Sequence, residues 1–169
     1  MCILGITVSS MAQTRGFSVE VFLGHECPIS QKYIKVLNDL KEEYDGQVQF
    51  QGWLAVHGVS QAEVDSFVEA YDISFPVLSD ARLYNAHKLG ATITPEAYLK
   101  NSEGEVLYSG AIDNWYYDLG RYRRKATEHY LKSAIDLSLA GKAIILDSAQ
   151  AVGCFIDHKM TNHNHMKHE

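Results

Sequence analysis

Three cysteines, Cys2, Cys27 and Cys154, carry the most reactive chemistry in this chain. Cys27 stands in Gly24-His25-Glu26-Cys27-Pro28-Ile29-Ser30, between a β-rich run and a helical pattern. Pro28 suits the first helical turn, where a missing N–H costs nothing. Cys27 therefore meets the free N–H groups and positive dipole end of a helix, which favour a thiolate and lower a cysteine's pKa. His25 and Ser30 are the neighbours placed to assist it. A buried cysteine can also serve simply as a small hydrophobe.

The second chemistry is metal ligation. From Asp157 the chain reads DHKMTNHNHMKHE, with His158, His163, His165 and His168 beside Met160 and Met166. Imidazole with thioether suits copper, and imidazoles suit zinc or nickel. Irregular spacing gives such a tail no built-in geometry, and polar termini of this kind are common. Other chemistries find no support. There is no glycine-rich phosphate loop, no H-E-x-x-H and no serine nucleophile elbow. A net charge of −6 argues against general nucleic-acid binding. Arg121, Arg123, Arg124 and Lys125 read as a solvated turn. No stretch reaches the roughly 18 apolar residues of a membrane span.

The elements that must position Cys27 follow from hydrophobic periodicity. Phe17, Val19, Val21 and Leu23 alternate with Ser18, Glu20 and Phe22 as a strand. Tyr33, Val36, Leu37 and Leu40 then give the apolar face of a helix. Residues 47–56 predict a second strand, and Ser60 with Glu63 a capping box for a helix through Val64, Phe67, Val68 and Tyr71. Residues 73–78 read as a short strand, edge or irregular because of Pro76. Asp80 caps a short helix that Gly90 ends. Residues 97–100 and 105–110 form a hairpin around Asn101-Ser102-Glu103-Gly104. After an irregular aromatic loop over 112–124, Thr127 opens a helix that Gly141 ends. Strands alternating with helices imply an α/β fold with a central mixed sheet flanked by helices.

Residues 1–12, MCILGITVSSMA, are apolar and then small, with Ser10 and Ala12 spaced like a signal-peptidase site before Gln13. They read as the remnant of a signal peptide, although a basic n-region is missing, and imply export to a periplasmic or extracellular space. Removing them removes Cys2 and leaves two cysteines, the even count that a disulfide needs in an oxidising compartment. The domain then spans 13–157, with 158–169 as a His/Met-rich flexible tail.

In order along the chain, the strand feeding Cys27-Pro28-Ile29-Ser30, the Phe75-Pro76-Val77 to Asp80 segment, Thr94-Pro95 and the hairpin with Glu103-Gly104 resemble the thioredoxin-like redoxins of the TlpA and thiol-specific-antioxidant type. The likeness extends to a subgroup with Glu26-Cys27-Pro28-Ile29, Leu139-Ala140-Gly141-Lys142 and a terminal Gly153-Cys154-Phe155-Ile156. It covers nearly all of residues 17–157.

The resemblance implies a thioredoxin-like fold and a thiol-disulfide oxidoreductase needing no cofactor and acting on a protein thiol or disulfide partner. Cys27 would be the nucleophile, with Thr94 and a cis Pro95 packed against it. Ser30 stands where the second cysteine of a C-x-x-C would be, so Cys154 is the remaining candidate for the resolving thiol. A static bridge or a core cysteine is the other account of Cys154. Peroxidase activity fits less well: peroxiredoxins place a threonine three residues before the nucleophile, and Gly24 stands there. The alternative to redox exchange is a thioredoxin-fold protein that binds or traffics copper or zinc through its cysteines and tail.

Overall fold

In the computed structural model, which describes residues 16–145 and 149–158, the run Phe17–Leu23 becomes β1, the central strand of the molecule. There follow α1 (Pro28–Glu43), β2 (Val48–Leu54), α2 (Gln61–Ala70), β3 (Val77–Ser79), α3 (Tyr84–Leu89), β4 (Ile93–Thr94) and β5 (Glu96–Lys100). The chain continues through β6 (Val106–Gly110), β7 (Tyr116–Asp118), β8 (Arg121–Tyr122), α4 (Tyr130–Leu139) and β9 (Cys154–Phe155). Residues 1–15 and 159–169, with the leader remnant, Cys2 and most of the His/Met-rich tail, lie outside the described residues.

Five strands form one sheet in the order β3-β2-β1-β5-β6. β1 pairs in parallel with β2 and antiparallel with β5. A strand in the middle of a sheet covered on both faces needs apolar side chains on both. Val19, Val21, Phe22 and Leu23 are accordingly fully buried, although strict alternation would have left Phe22 with the polar set. Val19, Val21 and Leu23 join the main core with Leu37, Leu54, Leu99, Leu131 and Ile135. Phe22 faces a smaller core with Tyr98, Leu83, Ala86, Ala91 and Ile156.

The α1 face comprises Ile29, Tyr33, Ile34, Leu37 and Leu40, with Val36 only partly buried. The Ser60–Glu63 capping box forms in both directions and starts α2.

Three segments differ from expectation. Only residues 77–79 of the third strand pair, at the sheet edge, and Pro76 lies just before them with its carbonyl accepting from Gly52 N–H at 2.8 Å. Its missing N–H thus falls outside the ladder. Residues 116–122 make a two-stranded hairpin where an irregular loop was expected. The last helix begins at Tyr130 and not at Thr127, and the N–H groups of Thr127 and Glu128 in the turn before it donate to Asn114 Oδ1 at 2.9 and 3.2 Å.

Candidate functional site

Cys27 occupies the N-cap position of α1 in extended backbone, and its carbonyl accepts from Gln31 N–H at 3.0 Å. The residue is only 3% exposed. The Thr94–Pro95 peptide is cis. The Cys27 thiol donates to the Thr94 carbonyl at 3.1 Å, so β4 seats directly against the sulfur.

Ser30 is fully buried one turn into the helix. Its hydroxyl oxygen accepts from Gly24 N–H at 3.2 Å, and both its backbone N–H and its hydroxyl support the Cys27 sulfur. It stands at the second position of a C-x-x-C spacing and supplies hydrogen bonds where a cysteine would supply a sulfur.

The far end of the chain completes the site. β9 pairs antiparallel with β4, placing Cys154 opposite Thr94 and Phe155 opposite Ile93. Thr94 Oγ1 reaches the Cys154 carbonyl at 3.4 Å, and Ile156 N–H donates to Thr92 O at 2.9 Å. Both cysteines are free thiols. Burial works against a charge on Cys27, but the Cys154 thiol and the Ser30 groups outweigh it and hold Cys27 below the ordinary value. Burial, followed by the hydrogen bond to Cys27 and its charge, pushes Cys154 up to about 11. Cys27 is thus the more acidic thiol of the pair and Cys154 the less acidic.

Two glycines that the sequence motifs contain, Gly24 and Gly153, make this approach possible. A Cβ on Gly153 would lie 1.9 Å from the Thr94 carbonyl oxygen, and one on Gly24 would lie 3.0 Å from Thr94 Oγ1 and 3.2 Å from Cys27 Cβ. The available signal was a glycine directly before Cys154 and another three residues before Cys27.

The other candidates fall elsewhere. His25 turns towards α2 and shares a 370 Å³ hollow with Glu63, Phe67 and Tyr71, while its carbonyl accepts from Gln31 Nε2 at 2.7 Å. The aromatic segment packs on α1: Tyr33 meets the rings of Trp115 and Tyr116 at 5.5 and 5.9 Å. The Tyr33 hydroxyl donates to Asp113 at 2.5 Å, and Asp113 also accepts from Trp115 N–H at 2.8 Å. Tyr116 lies near enough to the site that its phenol is pushed up by burial, by Tyr122 and by Cys27.

Of the four tail histidines, His158 is within the described residues and His163, His165 and His168 are not. Its Nδ1 lies 3.3 Å from His87 Nε2, and its Nε2 lies 2.8 Å from the Ala91 carbonyl. Among the described residues no three His, Cys, Asp or Glu side chains gather as a metal site would require.

No protein-family model and no curated protein matches this chain. Solved structures do. A hypothetical protein from Sinorhizobium meliloti 1021 superposes with a TM-score of 0.75 at 23% identity, over 86% of this chain and 81% of that one. An uncharacterized conserved protein from Geobacillus kaustophilus gives 0.74 at 20%, over 86% and 78%. A secreted Mycobacterium tuberculosis disulfide oxidoreductase gives 0.51 at 16%, over 73% and 82%. The chain has the thioredoxin-like fold. At these identities the likeness concerns the fold, and the chemistry must come from the residues described above.

Proposed function

We propose that this protein is a thiol-disulfide exchange protein in which Cys27 is the nucleophile and Cys154 the resolving thiol. The observation that carries this reading is the pairing of β9 with β4, which sets Cys154 opposite Thr94, the residue whose carbonyl accepts from the Cys27 thiol. The Cys27 thiolate attacks one sulfur of a partner's disulfide. The partner's S–S bond breaks, one partner sulfur leaves as a thiolate, and a mixed disulfide remains on Cys27. Cys154 then loses its proton to solvent and attacks the Cys27 sulfur. That step forms Cys27–Cys154 and releases the second partner sulfur. The partner gains two electrons and the protein loses two.

The coupling of the pair orders these steps. Burial first, and then the hydrogen bond and charge of Cys27, hold Cys154 protonated while Cys27 is charged. Once Cys27 is in a mixed disulfide that charge is gone, and Cys154 retains only the effect of burial. The resolving thiol becomes a better nucleophile when it is needed.

Substrates of this reading are disulfides of protein partners. Export rests on the apolar N-terminal residues, and it agrees with disulfide chemistry, which persists in oxidising compartments. Peroxide reduction is disfavoured by geometry as well as by sequence, because any side chain at Gly24 would press on Thr94 and Cys27. Among the described residues, copper or zinc trafficking has one facing pair of imidazoles to draw on, His87 and His158.

The deciding experiment is peptide mapping by mass spectrometry after mild oxidation and again after reduction, with alkylation of free thiols. A reversible Cys27–Cys154 linkage is expected, absent in Cys27→Ser and Cys154→Ser. Two thiols that stay separately alkylatable after oxidation would sink the two-cysteine cycle.

A further inference from the structure

The two sulfurs of the pair differ in access in a way that sets the direction of the return half-reaction. Cys27 is 3% exposed and lies against Thr94, Ser30 and Gly24, with β9 paired to β4 beside it. Cys154 is partly exposed on that strand, and its neighbour Phe155 is 79% exposed. In the reduced protein β9 is a two-residue strand with no covalent tie to Cys27, so a partner can displace it. A Cys27–Cys154 bond would fasten the strand to Cys27 and leave Cys154 as the outer sulfur.

We infer that the oxidised protein is reduced by attack of an external thiolate on the Cys154 sulfur, with Cys27 as the leaving group. The inference rests on the Cys27–Cys154 disulfide proposed above and concerns which of its sulfurs is attacked. Thiol-disulfide exchange is in line, so the attacking thiolate approaches each sulfur from the side opposite its bonded neighbour. Cys154 is the partly exposed sulfur that such an approach can reach, whereas Cys27 is buried at the N-terminus of α1.

The step balances as follows. An external thiolate bonds to the Cys154 sulfur, the Cys27–Cys154 bond breaks, and its electron pair departs on Cys27. A second external thiolate then attacks the external sulfur of the mixed disulfide. It forms the external disulfide and releases Cys154, which takes a proton from water. Two external thiols are oxidised, and one protein disulfide is reduced. Leaving-group chemistry points the same way, since the lower-pKa thiol leaves faster. Cys27 is the member of the pair held low, by Cys154 and Ser30 against the cost of burial.

The test uses the full chain, oxidised and then exposed briefly to reduced glutathione before acid quench, alkylation and peptide mapping. The expected result is glutathione on Cys154 and the alkyl group on Cys27, with Cys154 adducts exceeding Cys27 adducts by roughly tenfold or more. Glutathione mainly on Cys27, or evenly shared, overturns the inference while leaving the disulfide cycle standing. A map of the oxidised sample that shows no Cys27–Cys154 linkage before glutathione is added overturns the cycle itself and this inference with it.

Discussion

A single proton donor next to a sulfur can decide whether that sulfur reacts at neutral pH. The Cys154 thiol is the largest influence holding Cys27 below the ordinary value, ahead of Ser30 and against the opposing effect of burial. Because Cys154 keeps its proton up to about 11, the donor is in place across the whole neutral range. Cys154→Ala removes it and leaves burial opposed by the Ser30 groups and the backbone N–H of residue 154, so Cys27 must titrate at higher pH. Cys154→Ser keeps an O–H donor and should fall between. A hydrogen bond to a charged group contributes about 1.5 kcal/mol, roughly a tenfold change in thiolate population at fixed pH. Alkylation of Cys27 by iodoacetamide, followed against pH, should therefore slow about tenfold at neutral pH in the alanine variant. The expected order is wild type fastest, then serine, then alanine. Equal profiles in all three would show that Cys154 does not stabilise the thiolate. The folding contributions have opposite signs. Cys27's is full above the ordinary value and lost as pH falls through its lowered one. Cys154's is full below 9.0 and lost as pH rises towards about 11.

At the scale of elements, β9 is the piece on which the site depends, and it is held by two pairings, Ile93 with Phe155 and Thr94 with Cys154. Gly153 permits them, since an added Cβ would sit inside the Thr94 carbonyl oxygen. Gly153→Ala must push β9 away from β4 and carry Cys154 with it. Overpacking of this kind costs about 1–3 kcal/mol. The expected outcome is a lower urea midpoint together with a Cys27–Cys154 disulfide that forms less readily against a glutathione buffer. A variant that folds less stably but forms the disulfide as before would detach Gly153 from the site. The neighbouring elements were readable because local chemistry defines them: Pro28 and the apolar face for α1, the capping box for α2, Gly90 and Gly141 after α3 and α4. β9 was not. Two residues carry no periodicity, and it is residues 92–94, some sixty positions away in sequence, that give Cys154 its place. The β7–β8 hairpin was hidden for a similar reason. Its rings are aligned by Tyr33 on α1, a contact that no window around residues 116–122 contains. Cys27 was legible as the start of α1 because the strand, Pro28 and the helix are contiguous. Cys154 was singled out only through the resemblance, and its place opposite Thr94 comes from tertiary pairing.

For the whole molecule, a Cys27–Cys154 bond would join the start of α1 to the last described strand and close most of the domain into one loop. The five-stranded sheet already fixes β1 and β5, and hence α1 and β4, so the cross-link adds little new geometry to the folded state. Its main effect falls on the unfolded chain. Closing a loop of well over 100 residues stabilises the fold by up to about 5 kcal/mol in the chain-entropy account. Oxidation also removes the hydrogen bond between the Cys154 thiol and Cys27, an interaction with a charged group that contributes about 1.5–3 kcal/mol to the reduced form. The oxidised protein should therefore be more stable than the reduced one by about 2 kcal/mol, read as a higher urea midpoint at similar m-value. By the thermodynamic cycle, folding then favours the disulfide by the same amount, about 40 mV in reduction potential. A gain close to the full loop value would mark a bridge that resists reduction, and Cys154 would be structural. No gain, or a loss, would mean that the fold does not favour pairing of the two sulfurs, which removes the basis for a resolving role. The intermediate value is the one an exchanging pair requires, because both redox states must remain within reach of a partner's potential.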